Sequence, residues 1–210
     1  MNPSRRDALK RLSLCASLAP FAAASAEREE AGVRPSDDDW PWWRGPRWDG
    51  VAVGETPPLT WSDAENVLWK TPVPGRGHST PCIHGERIFL TTADEEKERQ
   101  SVLCLNRGDG RVLWNRRIHE GGFGKKHRKN SHASATPACD GERTFVVFHR
   151  HAALWATALD LASETVWEKR IGDYDDRYGY GSSPTLHGDA LIVSGDSPAD
   201  GFLVALDRAT

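Results

Sequence analysis

The 210-residue sequence predicts an all-β fold built from repeated four-stranded antiparallel sheets. A proline–glycine spacing recurs three times, each time followed by a β-rich run, which is typical of a β-hairpin. A second matched segment lies downstream of each hairpin, and two of its copies end in tryptophan. The runs lack the 3.6-residue apolar period of helical repeats. With 38% hydrophobic and 27% charged residues, the composition is that of a globular protein rather than a disordered or fibrous one.

The first element in chain order is a predicted export signal over residues 1–26. A charged start that contains Arg5 and Arg6 precedes an apolar stretch over residues 12–24, and residues 24–26 offer a small-residue cleavage site. The arginine pair favours twin-arginine export and leaves the general secretory route open. An apolar stretch of about 15 residues is shorter than the roughly 20 that span a bilayer. We therefore expect an exported protein, periplasmic or extracellular.

A tryptophan-rich extension is expected over residues 27–60, ahead of repeats over residues 61–210. Residues 1–26 carry a net charge of +3, and the whole chain carries −3, which leaves −6 on the mature part. This mildly acidic balance argues against binding nucleic acid or anionic lipid through net charge. No later stretch of the sequence is apolar enough to span a membrane.

Three predicted hairpins follow the extension. Each has a proline four residues before a glycine, so that a short strand, a turn at the glycine and a second strand follow in order. The pairs are Pro81 and Gly85, Pro137 and Gly141, and Pro184 and Gly188. The prolines are 56 and 47 residues apart.

A third and a fourth strand are predicted after each hairpin, in matched segments at residues 103–114, 157–167 and 204–210. The first two of these fourth strands are predicted to end at Trp114 and Trp167, and Trp69 is an earlier counterpart. These three tryptophans lie 45 and 53 residues apart. Four short strands in a period of about 40 to 50 residues are typical of β-propeller blades. We expect about three blades in an incomplete ring, truncated in the third repeat, because closed propellers have roughly four to eight.

The repeat resembles that of the PQQ-binding-like β-propellers, which include quinoprotein dehydrogenases and the outer-membrane assembly lipoprotein of the BAM complex. The resemblance covers about residues 60–210, and residues 39–46 are similar to the start of exported bacterial members. It implies that Trp114 and Trp167 pack between neighbouring blades as docking residues, with Trp69 doing the same at the first full repeat.

The family resemblance is the one reason to consider PQQ as a cofactor. The residues of this sequence do not themselves indicate any cofactor. Quinoprotein dehydrogenases typically carry two adjacent cysteines beside the quinone, whereas this chain has none, and no position can be matched to a calcium ligand. Motifs for nucleophilic, zinc or phosphate chemistry are also missing, so no catalytic residue is predicted.

Candidate binding residues fall in the loops that enter each blade, at residues 74–78, 121–132 and 172–181. His78 and His132 could meet near the ring axis and hold a metal or an anion, or they could be exposed loop residues. A protein metal site needs three or four convergent ligands, so no metal is predicted from these two.

Aromatic and basic residues in the same loops are further candidates. Tyr178 and Tyr180 could stack on a planar ligand or peptide, or they could pack the third loop against its blade. The cluster at residues 125–129 could bind an anion, or it could be a solvated turn.

The cysteines leave two alternatives. Cys82, Cys104 and Cys139 are expected to lie in strands as small apolar residues, although two of them could form a disulfide in an oxidising compartment. A lipid anchor at Cys15 is a further alternative for the export signal, but Leu14 precedes it where a small residue is expected.

These observations favour a non-catalytic repeat protein that acts as an interaction or assembly scaffold in the cell envelope. Other envelope proteins are its expected partners, and it is expected to need missing blades or self-association. The alternative is the N-terminal fragment of a PQQ-dependent quinoprotein oxidoreductase.

Overall fold

The fold was described from a computed structural model, in which residues 35–54, 56–198 and 200–210 are placed. The predicted export signal at residues 1–26 lies outside these described residues. Throughout the described chain, the regular elements are β-strands. No helix there has the length and hydrophobicity needed to cross a membrane.

Eleven described strands form three antiparallel sheets, each paired in chain order, which we call blades 1 to 3. Blade 1 contains β1 (Cys82–His84), β2 (Arg87–Asp94), β3 (Arg99–Asn106) and β4 (Val112–Glu120). Blade 2 contains β5 (Ala138–Cys139), β6 (Arg143–Arg150), β7 (Ala153–Asp160) and β8 (Thr165–Asp173). Blade 3 contains β9 (Thr185–His187), β10 (Ala190–Gly195) and β11 (Phe202–Asp207). The predicted partial β-propeller is confirmed, with three strands in the described part of the third blade.

The hairpin turns follow the backbone preferences of their residues. Gly85 and Gly188 adopt φ angles of 53° and 54°, a left-handed conformation that costs glycine little. The β6–β7 turn instead uses His151 and Ala152, with φ angles of 48° and 53°. Two successive left-handed residues match the twist of the flanking strands, which makes this a tight two-residue hairpin.

The outer strands of the first two blades carry the same irregularities. In blade 1 the β3–β4 register shifts after Cys104, and in blade 2 the β7–β8 register shifts after Ala158. These two residues pair with Trp114 and Trp167, respectively. The repeat seen in the sequence is therefore also a repeat of strand register.

The hydrophobic core lies between the blades. Val102 of blade 1 and Phe148 and Leu159 of blade 2 belong to one buried cluster. Phe145 of blade 2 and Leu191 of blade 3 belong to another. Each sheet thus depends on its neighbours to cover its faces.

An N-terminal anchor, residues 39–48, is part of this core. Trp40 and Ile83 exchange backbone hydrogen bonds of 2.9 and 2.8 Å, which adds the anchor to the inner edge of blade 1. The carbonyl of Pro41 accepts from the Cys139 amide at 2.8 Å, so the anchor also touches blade 2. Trp42 is only 3% exposed and packs among residues of blades 2 and 3.

Candidate functional site

The three loops that enter the blades form one connected surface, which we call the entry-loop face (residues 74–78, 121–132 and 172–181). Arg76 exchanges backbone hydrogen bonds with Ala93 at 2.8 and 2.9 Å, which ties the first loop to β2. The amide of His78 donates to the carbonyl of Ala133 at 3.0 Å, immediately after the second loop. The first loop therefore bridges two blades.

The second and third loops are joined through the backbone of Tyr178. Its carbonyl accepts from the His127 amide at 3.1 Å and from the Asn130 side-chain amide at 2.7 Å. The next residue, Gly179, has a φ of 81°, and a Cβ there would lie 2.9 Å from the Cβ of Lys126. The close approach of the two loops therefore requires glycine at this position.

The exposed residues of the second loop make this part of the face basic. Lys125, His127, Arg128 and Lys129 are all exposed, whereas Lys126 is ion-paired with Glu95 at 3.2 Å. The basic patch consists of Lys125, Arg128 and Lys129, together with Arg177 of the third loop.

An exposed tyrosine lies beside the basic patch. Tyr178 is 50% exposed, and the guanidinium of Arg177 lies 4.7 Å from the centroid of its ring. The ring centroid of His127 lies 6.2 Å from the ring centroid of Tyr178. Asp173 and Asp175 are also exposed in the third loop, so the positive charge is concentrated on the side of the second loop.

The two candidate histidines have different surroundings. His78 is exposed, whereas His132 is half-buried with its ring 4.0 Å from the ring of Phe123. Burial, assisted by the charge of Lys126, lowers the pKa of His132. Among the described residues, no group of three or more His, Cys, Asp or Glu side chains could hold a metal ion.

Tyr180 is buried rather than available to a ligand. It is 6% exposed, and its hydroxyl donates to the carbonyl of Ser194 in blade 3 at 3.1 Å. Its ring meets that of Tyr174 edge to face at 5.4 Å. Of the two tyrosines singled out in the sequence, Tyr178 alone is presented on the surface.

Sequence reasoning missed a buried polar network beneath the entry-loop face. Gln100, wholly buried in blade 1, donates through its amide to the carbonyl of His132 at 2.8 Å and that of His149 at 3.2 Å. Nε2 of His149 in turn donates to the carbonyl of Tyr174 at 3.0 Å. Blade 1, blade 2 and the third loop are thereby linked by hydrogen bonds.

His119 extends this network across the junction of blades 1 and 2. Its Nδ1 lies 3.2 Å from Oε1 of Gln100, and its Nε2 lies 3.1 Å from Oε2 of Glu168. Burial lowers the pKa of His119 to about 4, while the charge of Glu168 opposes that shift. A neutral imidazole has a single N–H, so it can donate to only one of these two oxygens. Strict alternation along β4 turns Trp114, Arg116 and Ile118 inward, and the register shift between Gln100 and Ser101 is what turns His119 inward as well, so the sequence pattern carries no signal for this site.

The three cysteines within the described residues, Cys82, Cys104 and Cys139, are free, buried and in strands. Sγ of Cys82 donates to the carbonyl of Pro41 at 3.0 Å and contacts the thiol of Cys139. Burial raises the pKa of Cys104 to about 11. Burial also raises the pKa of Cys82, whereas the side-chain hydrogen bond with Cys82 lowers the pKa of Cys139.

The three repeated tryptophans each make the same kind of contact, a hydrogen bond from the indole nitrogen to a backbone carbonyl. Nε1 of Trp114 donates to the carbonyl of Leu161 at 3.1 Å, and Nε1 of Trp167 donates to that of Arg208 at 3.1 Å. Nε1 of Trp69 donates to the carbonyl of Arg107 at 2.9 Å. In each case the acceptor lies in the turn that follows the third strand of the next blade along the chain.

Comparison with known proteins gives a family and a fold. A family model described as outer membrane protein assembly factor BamB matches residues 49–173. No curated protein matches the sequence.

Solved structures resemble the chain at low identity. One is a quinohemoprotein alcohol dehydrogenase from Pseudomonas putida HK5, with 17% identity and a TM-score of 0.51, covering 68% of this chain and 21% of that one. BamB from Moraxella catarrhalis has 16% identity and a TM-score of 0.47, covering 67% and 40%. A europium-containing methanol dehydrogenase has 13% identity and a TM-score of 0.49, covering 65% and 23%. The chain therefore spans less than half the length of each of these structures.

Proposed function

Because the chain belongs to the PQQ-like repeat family described as outer membrane protein assembly factor BamB, we propose that it is a non-catalytic β-propeller scaffold of the cell envelope. Its entry-loop face binds acidic segments of partner proteins, and its location is periplasmic or extracellular. The observation that carries this proposal is the concentration of exposed cations around Tyr178 on loops that are tied to one another.

Preorganisation supports a binding role for this face. Tyr178 is held through its carbonyl by His127 and Asn130, and the loops rest on the hydrogen-bonded network of Gln100 and His149. A surface that is ordered before binding loses less conformational entropy when a partner docks.

Charge supports an acidic partner segment. Residues 27–210 carry a net charge of −6, yet Lys125, Arg128, Lys129 and Arg177 are grouped on one face. Opposite charges steer encounter and set the orientation of a partner more than they set raw affinity. Tyr178 adds a rigid aromatic surface beside them, a residue type enriched in protein interfaces.

Binding of a fluorescein-labelled alternating Asp-Glu decapeptide, measured by fluorescence anisotropy, tests this proposal. We expect saturable binding that weakens with added salt, because exposed charges are screened. The double variant Arg128→Glu, Lys129→Glu should weaken it by about tenfold, since each exposed ion pair contributes roughly 0.2–1 kcal/mol.

Arg111→Glu is the matched control, because Arg111 is exposed in the β3–β4 turn, at the opposite end of blade 1 from the first entry loop. Equal weakening by both variants, or binding of a Lys decapeptide of equal strength, would contradict an acidic-peptide site on this face.

The enzyme alternative rests on the family's quinoprotein members. A cation beside a quinone needs several convergent ligands, and no such set can be assigned within the described residues. Reduction of an artificial dye with an alcohol or a sugar as substrate, after reconstitution with PQQ and Ca²⁺, would overturn the scaffold proposal.

A further inference from the structure

Residues 66–74 have the sequence pattern of an outer strand. Val67-Leu68-Trp69 aligns with Val112-Leu113-Trp114 at the start of β4 and with Thr165-Val166-Trp167 at the start of β8. We call residues 66–74 the unpaired outer strand, because no hydrogen bond between backbone groups joins residues 67–74 to any other residue that the structure describes.

The burial of this segment is also that of an outer strand. Residues 67–71 alternate between exposed and half-buried in the same order as the first five residues of β4 and of β8. Trp69 and Thr71 are the half-buried positions, and they hydrogen-bond to the carbonyls of Arg107 and Gly110 at 2.9 and 2.6 Å. Leu68 is 95% exposed. The unpaired outer strand thus contacts blade 1 in the way that β4 contacts blade 2 and β8 contacts blade 3. Unlike β4 and β8, it is not paired with a sheet.

Blade 3 presents the complementary edge. β11 lies at one edge of its sheet, and Leu203, its second residue, is 74% exposed. The equivalent residues in β3 and β7 are Val102 and Ala156, which are both fully buried. In blades 1 and 2, a fourth strand and a following blade cover these positions.

The registers of blades 1 and 2 predict how the two parts would pair. Cys104 lies opposite Trp114, and Ala158 lies opposite Trp167. The corresponding residue of β11 is Ala205, so it would lie opposite Trp69. One step along, Val204 would lie opposite Lys70, as Leu103 lies opposite Asn115.

The prolines of the segment fit an edge position. Pro72 and Pro74 are two residues apart, so the backbone nitrogens that lack hydrogen face the same side of a strand. Proline is tolerated in a sheet when that side faces solvent. An outer strand with β11 on its other side meets this condition.

Within one chain, blade 2 lies between the unpaired outer strand and β11. We propose that two copies of the chain associate head to tail, with the unpaired outer strand of one copy completing blade 3 of the other. The contact buries Leu203 and Ala205 of one copy against Trp69 and blade 1 of the other.

Mixing two variants that each carry one added cysteine tests the pairing. Lys70→Cys and Val204→Cys, purified separately and mixed under mild oxidation, should form a disulfide-linked pair of about twice the 23.2 kDa chain mass. Paired strand positions place Cα atoms about 5.5 Å apart, a separation that a disulfide bridges.

The register control is Lys70→Cys mixed with Leu203→Cys. A shift of one residue turns the side chain to the opposite face of the strand, so this mixture should not link. Absence of linking in the first mixture, or equal linking in both, would overturn the proposed register.

Sedimentation provides a measurement independent of cysteine. The unmodified chain should shift from monomer to dimer as its concentration rises, and Leu203→Lys should remain a monomer, because a charge cannot be buried at the contact. Leu59→Lys, at a position 93% exposed outside the strand, should behave as the unmodified chain. A monomer at all concentrations would exclude a second copy as the partner of this edge and would leave the peptide binding of the entry-loop face unaffected.

Discussion

His149 anchors the third entry loop as a neutral imidazole. Its Nε2 donates to the carbonyl of Tyr174, and its ring meets the ring of Tyr174 edge to face at 5.1 Å. Burial lowers the pKa of His149, although the hydrogen bond to Tyr174 acts in the opposite direction. Burial likewise lowers the pKa values of His119 and His132. Three histidines near the entry-loop face therefore resist protonation in the folded chain.

Acidification should destabilise the chain through these histidines. In the unfolded chain a histidine takes up a proton as the pH falls through about 6.5, whereas the folded chain takes it up at lower pH. Because the unfolded state then binds more protons, the free energy of unfolding should fall between pH 7 and pH 5. Urea unfolding at the two pH values measures this loss.

His149→Gln is the informative variant, because its amide still donates to Tyr174 but does not titrate. It should lose less stability on acidification than the unmodified chain. His78→Gln, at an exposed position, should leave the pH dependence unchanged. An identical loss in all three proteins would rule out His149 as a contributor.

At the residue scale, the sequence indicated which residues are important more readily than which residues they contact. The tryptophans could be singled out because they recur at matched positions. The network of Gln100, His119 and Glu168 could not, because Gln100 and His119 lie in blade 1 and Glu168 lies in blade 2, and no strand's own pattern indicates its partner on another blade.

At the scale of elements, each junction between blades is built around one backbone carbonyl. The carbonyl of Leu161 accepts from Trp114 and from the guanidinium of Arg87. At the next junction, the carbonyl of Arg208 accepts from Trp167 at 3.1 Å and from Arg143 at 2.9 Å. Two donors from one blade thus hold the turn of the next.

Replacing Trp114 tests the docking role that the repeat implies. Its ring centroid lies 5.9 Å from that of Phe89, and the indole packs against two buried clusters that both contain residues of blades 1 and 2. Trp114→Ala should lower the free energy of unfolding by about 3–5 kcal/mol through the cavity it leaves. Trp114→Phe should cost roughly 1 kcal/mol, since Arg87 still donates to the carbonyl. Chemical denaturation measures both values.

Trp61→Ala is the matched control, because Trp61 is 71% exposed. Its replacement should change stability by no more than about 0.5 kcal/mol. Equal losses at Trp61 and Trp114 would contradict a specific role for the junction tryptophan.

The anchor of residues 39–48 was only partly foreseen at this scale. Its composition indicated an extension before the repeats, but not that Trp42 enters the core of blades 2 and 3. That contact joins residues about a hundred positions apart, and a local sequence pattern carries no information about such pairs.

At the scale of the whole molecule, stability should vary from blade to blade. Blade 2 is covered on both faces by clusters shared with its neighbours. Blade 3 has clustered contacts toward blade 2 and an exposed Leu203 on its other face. Regions with fewer buried apolar contacts open more readily.

Amide hydrogen exchange should reveal this gradient. In the Leu203→Lys variant, expected to be monomeric, peptides from β10 and β11 should exchange about tenfold faster or more than peptides from β6 and β7. In the unmodified chain at high concentration, β11 should gain protection. Uniform protection across the blades of the monomer would contradict the gradient.

The sequence by itself determined the four-stranded unit, the order of its strands and the positions of the repeated tryptophans. These features depend on contacts between residues close in the chain, such as hairpin turns and adjacent antiparallel strands, and such contacts leave a local pattern. The sequence-based prediction that the fourth strands end at Trp114 and Trp167 was wrong, because β4 and β8 continue to Glu120 and Asp173. The tertiary structure decided which sheet faces meet, why Tyr180 is buried while Tyr178 is exposed, and how His119 and Gln100 join two blades. Those outcomes depend on contacts between different strands and loops, such as Tyr180 with Ser194 and Gln100 with His132, 14 and 32 positions apart. Burial of one face there depends on the shape and polarity of the neighbouring one.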